Sequence, residues 1–176
     1  MKPGALVLVV VSAAVTAVSP SSQASGSQPG ELPSAMVVAK SSNKNEVHYA
    51  VAVDEACAPA GASPVRPYWR MLERGSNATE PLTESERRVL GLQYEEVVPG
   101  DGVIVALRAM PARAFDIHTL RGADGRCSSW VGTKIGGVPA RLERIYVQQR
   151  LFGSVDYVLL AGAAEDGKPV RERVSP

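Results

Sequence analysis

Apolar and polar positions alternate with a period of two through most of the chain. Val47, Tyr49, Val51 and Val53 alternate with His48, Ala50, Ala52 and Asp54. Val65, Trp69 and Met71 alternate with Arg66, Tyr68, Arg70 and Leu72. Further on, Val103, Val105 and Leu107 alternate with Ile104, Ala106 and Arg108, and Phe115 and Ile117 with Asp116 and His118. Val155, Tyr157, Leu159 and Ala161 close the series. Successive side chains of a strand point to opposite sides of its sheet, so each set predicts one face of a pleated strand.

Between these runs stand Asp101-Gly102, Asp124-Gly125, Gly136-Gly137 and Asp166-Gly167, pairs that accept the positive φ of tight hairpin turns. Parallel crossovers of a dozen residues have no room. One helix is predicted near residues 83–91, where Thr83 and Glu86 have capping-box spacing and Gly91 is a stop. The expectation is an all-β fold: an antiparallel meander of about nine or ten strands forming a sandwich or a barrel, with one short helix.

The beginning of the chain is different. Ala5 to Val18 is an apolar run preceded by Lys2 and broken by Pro20, and Ser22-Gln23-Ala24 supplies small residues at its exit. The run is too short to span a hydrocarbon core of about 30 Å. It reads as a signal peptide over residues 1–24, followed by a flexible linker over 25–35 and a single β-rich domain over 36–176. The expected location is extracytoplasmic, periplasmic or secreted, with no transmembrane segment left after cleavage. Outside the cytoplasm two cysteines are candidates for one disulfide, and Cys57–Cys127 is the pair available.

Composition then narrows the function classes. Lys plus Arg is 19 and Asp plus Glu is 18, and loss of Lys2 with the leader brings the two into balance. That balance argues against nucleic acid as the main partner. No Gly-x-Ser-x-Gly elbow, phosphate loop or metal-ligand spacing occurs, so no cofactor and no metal are expected. Two constellations remain. Arg66, Tyr68 and Arg70, with Arg74, share a strand face and could hold a carboxylate or phosphate; a solvated face whose arginines cover apolar surface explains them more simply. Asn43, Lys44 and Asn45 form a connector that reads as a turn or as a site for an anionic or sugar group near Tyr68. Asp116 and His118 share a face and, with Ser128 or Ser129, would be the parts of a hydrolase. A glycosylation acceptor pattern stands at Asn77-Ala78-Thr79.

Several fragments resemble one bacterial family as a set. They are Ser42-Asn43-Lys44-Asn45, Pro67-Tyr68-Trp69, Leu82-Thr83-Glu84 with Glu86-Arg87, Arg141 through Gln148, Val155-Asp156-Tyr157-Val158, and Glu172-Arg173-Val174-Ser175-Pro176. Their order and spacing are similar to the family catalogued as domain of unknown function 4833, over about residues 36 to 176. The resemblance implies no established activity. One departure is visible: Val89-Leu90-Gly91 stands where the family usually has Ala-Tyr-Gly. The functional expectation is an exported, non-catalytic binding or structural module of the cell envelope, its partner an envelope ligand or protein. The alternatives are a lipocalin-like carrier of an apolar ligand and a hydrolase using His118 and Asp116.

Overall fold

Alternation becomes strands, and continuous apolar runs add others that alternation does not mark. The computed structural model describes residues 32–73, 78–100, 102–150 and 155–175. In chain order the strands are β1 (Ser34–Lys40), β2 (Glu46–Val51), β3 (Val65–Met71), β4 (Ala78–Pro81), β5 (Leu92–Val98), β6 (Gly102–Leu107), β7 (Met110–Arg121), β8 (Cys127–Ile135), β9 (Val138–Gln149), β10 (Val155–Ala164) and β11 (Pro169–Val174); the one described helix, α1 (Glu84–Leu90), lies between β4 and β5. The residues read as a signal peptide, most of the linker, Arg74 and Asn77 lie outside the described residues.

The sheet runs β4-β3-β2-β1-β9-β8-β7-β6-β5, with β10 on the other edge of β9 and β11 beyond β10. Strand β9 decides this shape. Its first half pairs with β8, from Val138↔Ile135 to Leu142↔Val131, and its second half pairs with β1, from Ile145↔Val38 to Val147↔Lys40. One strand thus hands its edge from one wing of the sheet to the other.

The β1–β9 pair is parallel, which corrects the expected all-antiparallel meander. The hairpins fix only sequence neighbours, and β1 has no earlier strand to turn from. Its partner is set by docking of distant segments. The sheet is also not closed into a barrel: β4 and β5 end the path as edges. The two wings instead fold over one core. That core joins Val47, Tyr49 and Trp69 from one wing to Val105, Phe115, Ile117 and Val131 from the other, with Ile145 and Leu160 between them.

Among the described residues, two side-chain bonds cross from wing to wing. The Tyr49 hydroxyl donates to the Leu90 carbonyl at 2.5 Å, and Glu95 Oε1 accepts the Val65 N–H at 2.7 Å. The disulfide Cys57–Cys127 adds a covalent tie, with Cα atoms 5.4 Å apart across a sequence separation of 70. The turn carrying Cys57 is held by Asp54 Oδ1, which accepts the N–H groups of Ala56 and Ala58.

Two sequence expectations change locally. Strand β1 begins at Ser34, within the segment read as linker, and buries Met36 and Val38. Its run Ala35 to Ala39 is apolar throughout, so periodicity gave no face to read. In β10 the set Val155, Tyr157, Leu159 and Ala161 does not face the core; Val158 and Leu160 do. Both registers of that strand are apolar, and bulges interrupt the ladder between Val155 and Tyr157 and between Ala161 and Gly162.

The local chemistry holds elsewhere. Thr83 caps α1, its hydroxyl accepting the Glu86 N–H while Glu86 accepts the Thr83 N–H. Gly136 and Gly137, at φ 60° and 82°, make the two-residue turn between β8 and β9.

Candidate functional site

The six sequence-predicted binding residues fall on opposite sides of β3. Asn43 and Asn45 stand in the β1–β2 connector and line a cavity of about 190 Å³ with Lys40, Trp69, Thr83 and Glu86. Tyr68 faces the other way. The connector explains itself structurally: Asn43 Oδ1 accepts the Asn45 N–H, and Asn45 Oδ1 accepts the Glu73 N–H, both at 3.1 Å. Lys44 contributes its backbone N–H to Glu73 Oε1. In the cavity Lys40 Nζ lies 4.3 Å from the Trp69 ring centre. Burial lowers the proton affinity of Lys40, with Glu86 working against it. Glu86 is buried in part, which raises its pKa, but Thr83, the Trp69 indole and the Lys40 charge together hold its carboxyl below the usual range.

Arg66, Tyr68 and Arg70 do share the outer face of β3, opposite Ala50, His48 and Glu46 of β2. Tyr68 is buried there, its ring stacked on His48 at 5.6 Å. His48 Nδ1 is 3.0 Å from the Ser34 hydroxyl and Nε2 is 3.3 Å from Glu46 Oε2. Glu46 in turn pairs with Arg144 at 3.2 Å. Serine, histidine and carboxylate are the residue types of a hydrolytic triad. Here the Ser34–His48–Glu46 contacts tie β1 to β2, and the His48 residue is only 6% exposed. The sequence reading missed Ser34 by assigning it to the linker.

The other histidine lies on the second wing. Asp116 and His118 occupy the outer face of β7, opposite Gly132 and Trp130 of β8. The His118 ring stacks on Trp130 at 4.1 Å. No side-chain hydrogen bond joins His118 to Asp116, Ser128 or Ser129 among the described residues; Ser128 pairs across from Leu120, and the Ser129 hydroxyl is buried with no partner.

Asp116 and Trp130 border a shallow groove of about 920 Å³ over β7, β8, β9 and β10. Its geometry follows from the ladder. Asp116, Gly132, Arg141 and Ala163 are successive partners across four strands. A carboxylate and a guanidinium therefore flank a position with no side chain, and Trp130 stands beside the gap. A Cβ built on Gly132 would come within 3.5 Å of the Trp130 ring and 3.6 Å of His118 Nε2. Asp116 and Arg141 are exposed and form no ion pair among the described residues; Arg141 lies over Trp130, 5.8 Å from its ring centre. At one end, Arg113 is already satisfied by Glu172 at 2.6 Å and by the Lys134 carbonyl. The Arg113 hydrogen bond, the Gly136 N–H and the Arg113 charge hold the Glu172 carboxyl below its usual range. Periodicity placed Asp116 and His118 together, but only cross-strand pairing adds Gly132, Trp130 and Arg141.

A family model described as Domain of unknown function (DUF4833) matches residues 36–173. No curated protein and no solved structure matches the chain.

Proposed function

Because the chain belongs to the family described as domain of unknown function DUF4833, which prescribes no activity, we propose from its geometry that it is an exported, non-catalytic binding module of the cell envelope. The groove around Gly132 takes its ligand. The observation that carries this reading is the Asp116–Gly132–Arg141 row beside Trp130: a carboxylate and a guanidinium with no ion-pair partner among the described residues, separated by a side-chain gap and bounded by an aromatic ring. Such a gap suits a small polar ligand with a carboxylate for the Arg141 fork and hydroxyl or amine donors for Asp116.

Export is supported by the Cys57–Cys127 disulfide, which persists in oxidising compartments, and by the short apolar run at the chain start. The binding reading is favoured over a hydrolase because His118 stacks on Trp130 and hydrogen-bonds no hydroxyl among the described residues. A lipocalin-like carrier has less support, since the space between the wings is filled by Tyr49, Phe115, Ile117 and Leu160.

The chain has two tryptophans, and Trp69 is in the core, so a Trp69→Phe background leaves Trp130 as the reporter. Titration with glucuronate, other sugar acids and short peptides should give saturable change in Trp130 emission with at least one compound. Arg141→Ala and Gly132→Leu should abolish it without altering the thermal melt. Retained binding in both variants, or no response across the panel, refutes the assignment.

A further inference from the structure

The outer face of the first wing carries a charge distribution that the balanced composition hides. Strand pairing brings together Arg66 and Arg70 of β3, Arg144 of β9, and Arg171 and Arg173 of β11. One row runs Thr79–Arg70–Glu46–Ala39–Tyr146–Leu159–Arg173 across seven strands. The adjoining rows place Tyr68 opposite His48, Arg66 opposite Ala50, and Arg144 opposite Ala161, which in turn pairs with Arg171. These rows hold five arginines and one acidic residue, Glu46. Glu143, the extra residue at the β9 bulge, falls outside them.

The Arg66, Arg70 and Arg171 guanidinium groups make no hydrogen bond or ion pair among the described residues. The other two are held in place: Arg144 by Glu46 at 3.2 Å, and Arg173 with its guanidinium 3.9 Å from the centre of the Tyr157 ring. Half-buried Tyr146 lies in the row between Arg70 and Arg173, and half-buried Tyr157 packs against Arg173.

We propose that this face is a docking surface for a linear polyanion bearing phosphate groups, separate from the groove on the second wing. A guanidinium fork binds a phosphate through two parallel hydrogen bonds, and the phosphate keeps its charge at every physiological pH. Shape selects the form of the partner. Arg70 and Arg173 are five strand steps apart, about 24 Å at a spacing of about 4.8 Å. A sheet twists by about 20–25° per step, so the row turns through more than a right angle over that distance. A flexible chain follows such a row and meets every arginine; a planar bilayer touches only part of it.

Labelled inorganic polyphosphate, titrated into the full chain and followed by fluorescence anisotropy, tests this. Binding should weaken linearly on a log–log plot against salt. Arg66→Gln with Arg70→Gln, and Arg171→Gln with Arg173→Gln, should each weaken binding at least tenfold and lower the salt slope by about one per arginine removed. Gly132→Leu, which blocks the groove and removes no charge, should leave polyphosphate binding unchanged, so failure of one site does not imply failure of the other. Single substitutions carry the same test should a double variant melt early. Unchanged affinity in both double variants overturns the proposal. So does equal binding of polyglutamate, or binding to vesicles of 30% anionic phospholipid without binding to polyphosphate.

Discussion

His48 shows how a single side chain couples this fold to pH. Burial lowers its proton affinity; the Glu46 hydrogen bond and charge raise it, and Arg70 lowers it further, with a net pKa below the ordinary 6.5. The folded protein therefore binds fewer protons at this site than the unfolded chain. Its contribution is complete above the unfolded value near 6.5 and is lost as pH falls through the lower folded value. Urea melts between pH 7.5 and pH 5 should show declining stability in the native sequence, and His48→Gln should flatten that decline. An equally steep decline in the variant would place the titration elsewhere. The sequence put His48 on the strand face opposite Val47 and Tyr49, and in the structure those two residues belong to the core cluster. The burial of His48 was not legible, since it comes from Tyr68, Ser34 and Glu46 closing around the ring.

At the scale of elements, β9 and β10 carry the architecture because both wings share them. Their ladder includes a bulge where Glu143 has no partner and Gly162 faces Leu142. A Cβ on Gly162 would lie 2.2 Å from the Arg141 carbonyl oxygen and 3.0 Å from Ile135 Cδ1. Gly162→Ala must therefore push the two strands apart, at a cost of about 1–3 kcal/mol by the usual scale of overpacking. Denaturant midpoints read this directly, with Ala164→Ser as a neighbouring control near zero. A wild-type melt for Gly162→Ala would mean that the bulge adjusts freely. Turn and cap signals in the sequence were reliable here because Gly136-Gly137 and Thr83-x-x-Glu86 act within a few residues. The β10 register was not, because Val155, Tyr157 and Leu159 are as apolar as Val158 and Leu160.

For the whole molecule, Cys57–Cys127 links the loop after β2 on one wing to the start of β8 on the other. Closing a loop of 70 residues restricts the unfolded chain by about 4 kcal/mol on the chain-entropy estimate. The Cys57→Ser, Cys127→Ser double variant should lose a few kcal/mol in urea melts, and reductant should lower the stability of the native sequence while leaving the variant unaffected. Equal stability of native and variant proteins would show that the wings are held by the shared core and the Tyr49 and Val65 bonds alone.

The sequence by itself determined the local features: strand-forming alternation, the capped helix, the glycine turns, the cysteine pair, and the shared faces of Arg66 with Tyr68 and Arg70 and of Asp116 with His118. Each depends on residues within one strand or turn, apart from the cysteines, which had no other partner to choose. Tertiary structure alone decided that β9 serves two wings, that β1 joins it in parallel, and that the sheet folds over without closing. It also decided both proposed surfaces. Arg141 reaches Gly132, and Arg173 shares a row with Arg70, only through backbone pairing between segments far apart in the chain. Such pairing follows from how all the apolar faces are buried together, and no window of sequence contains that information.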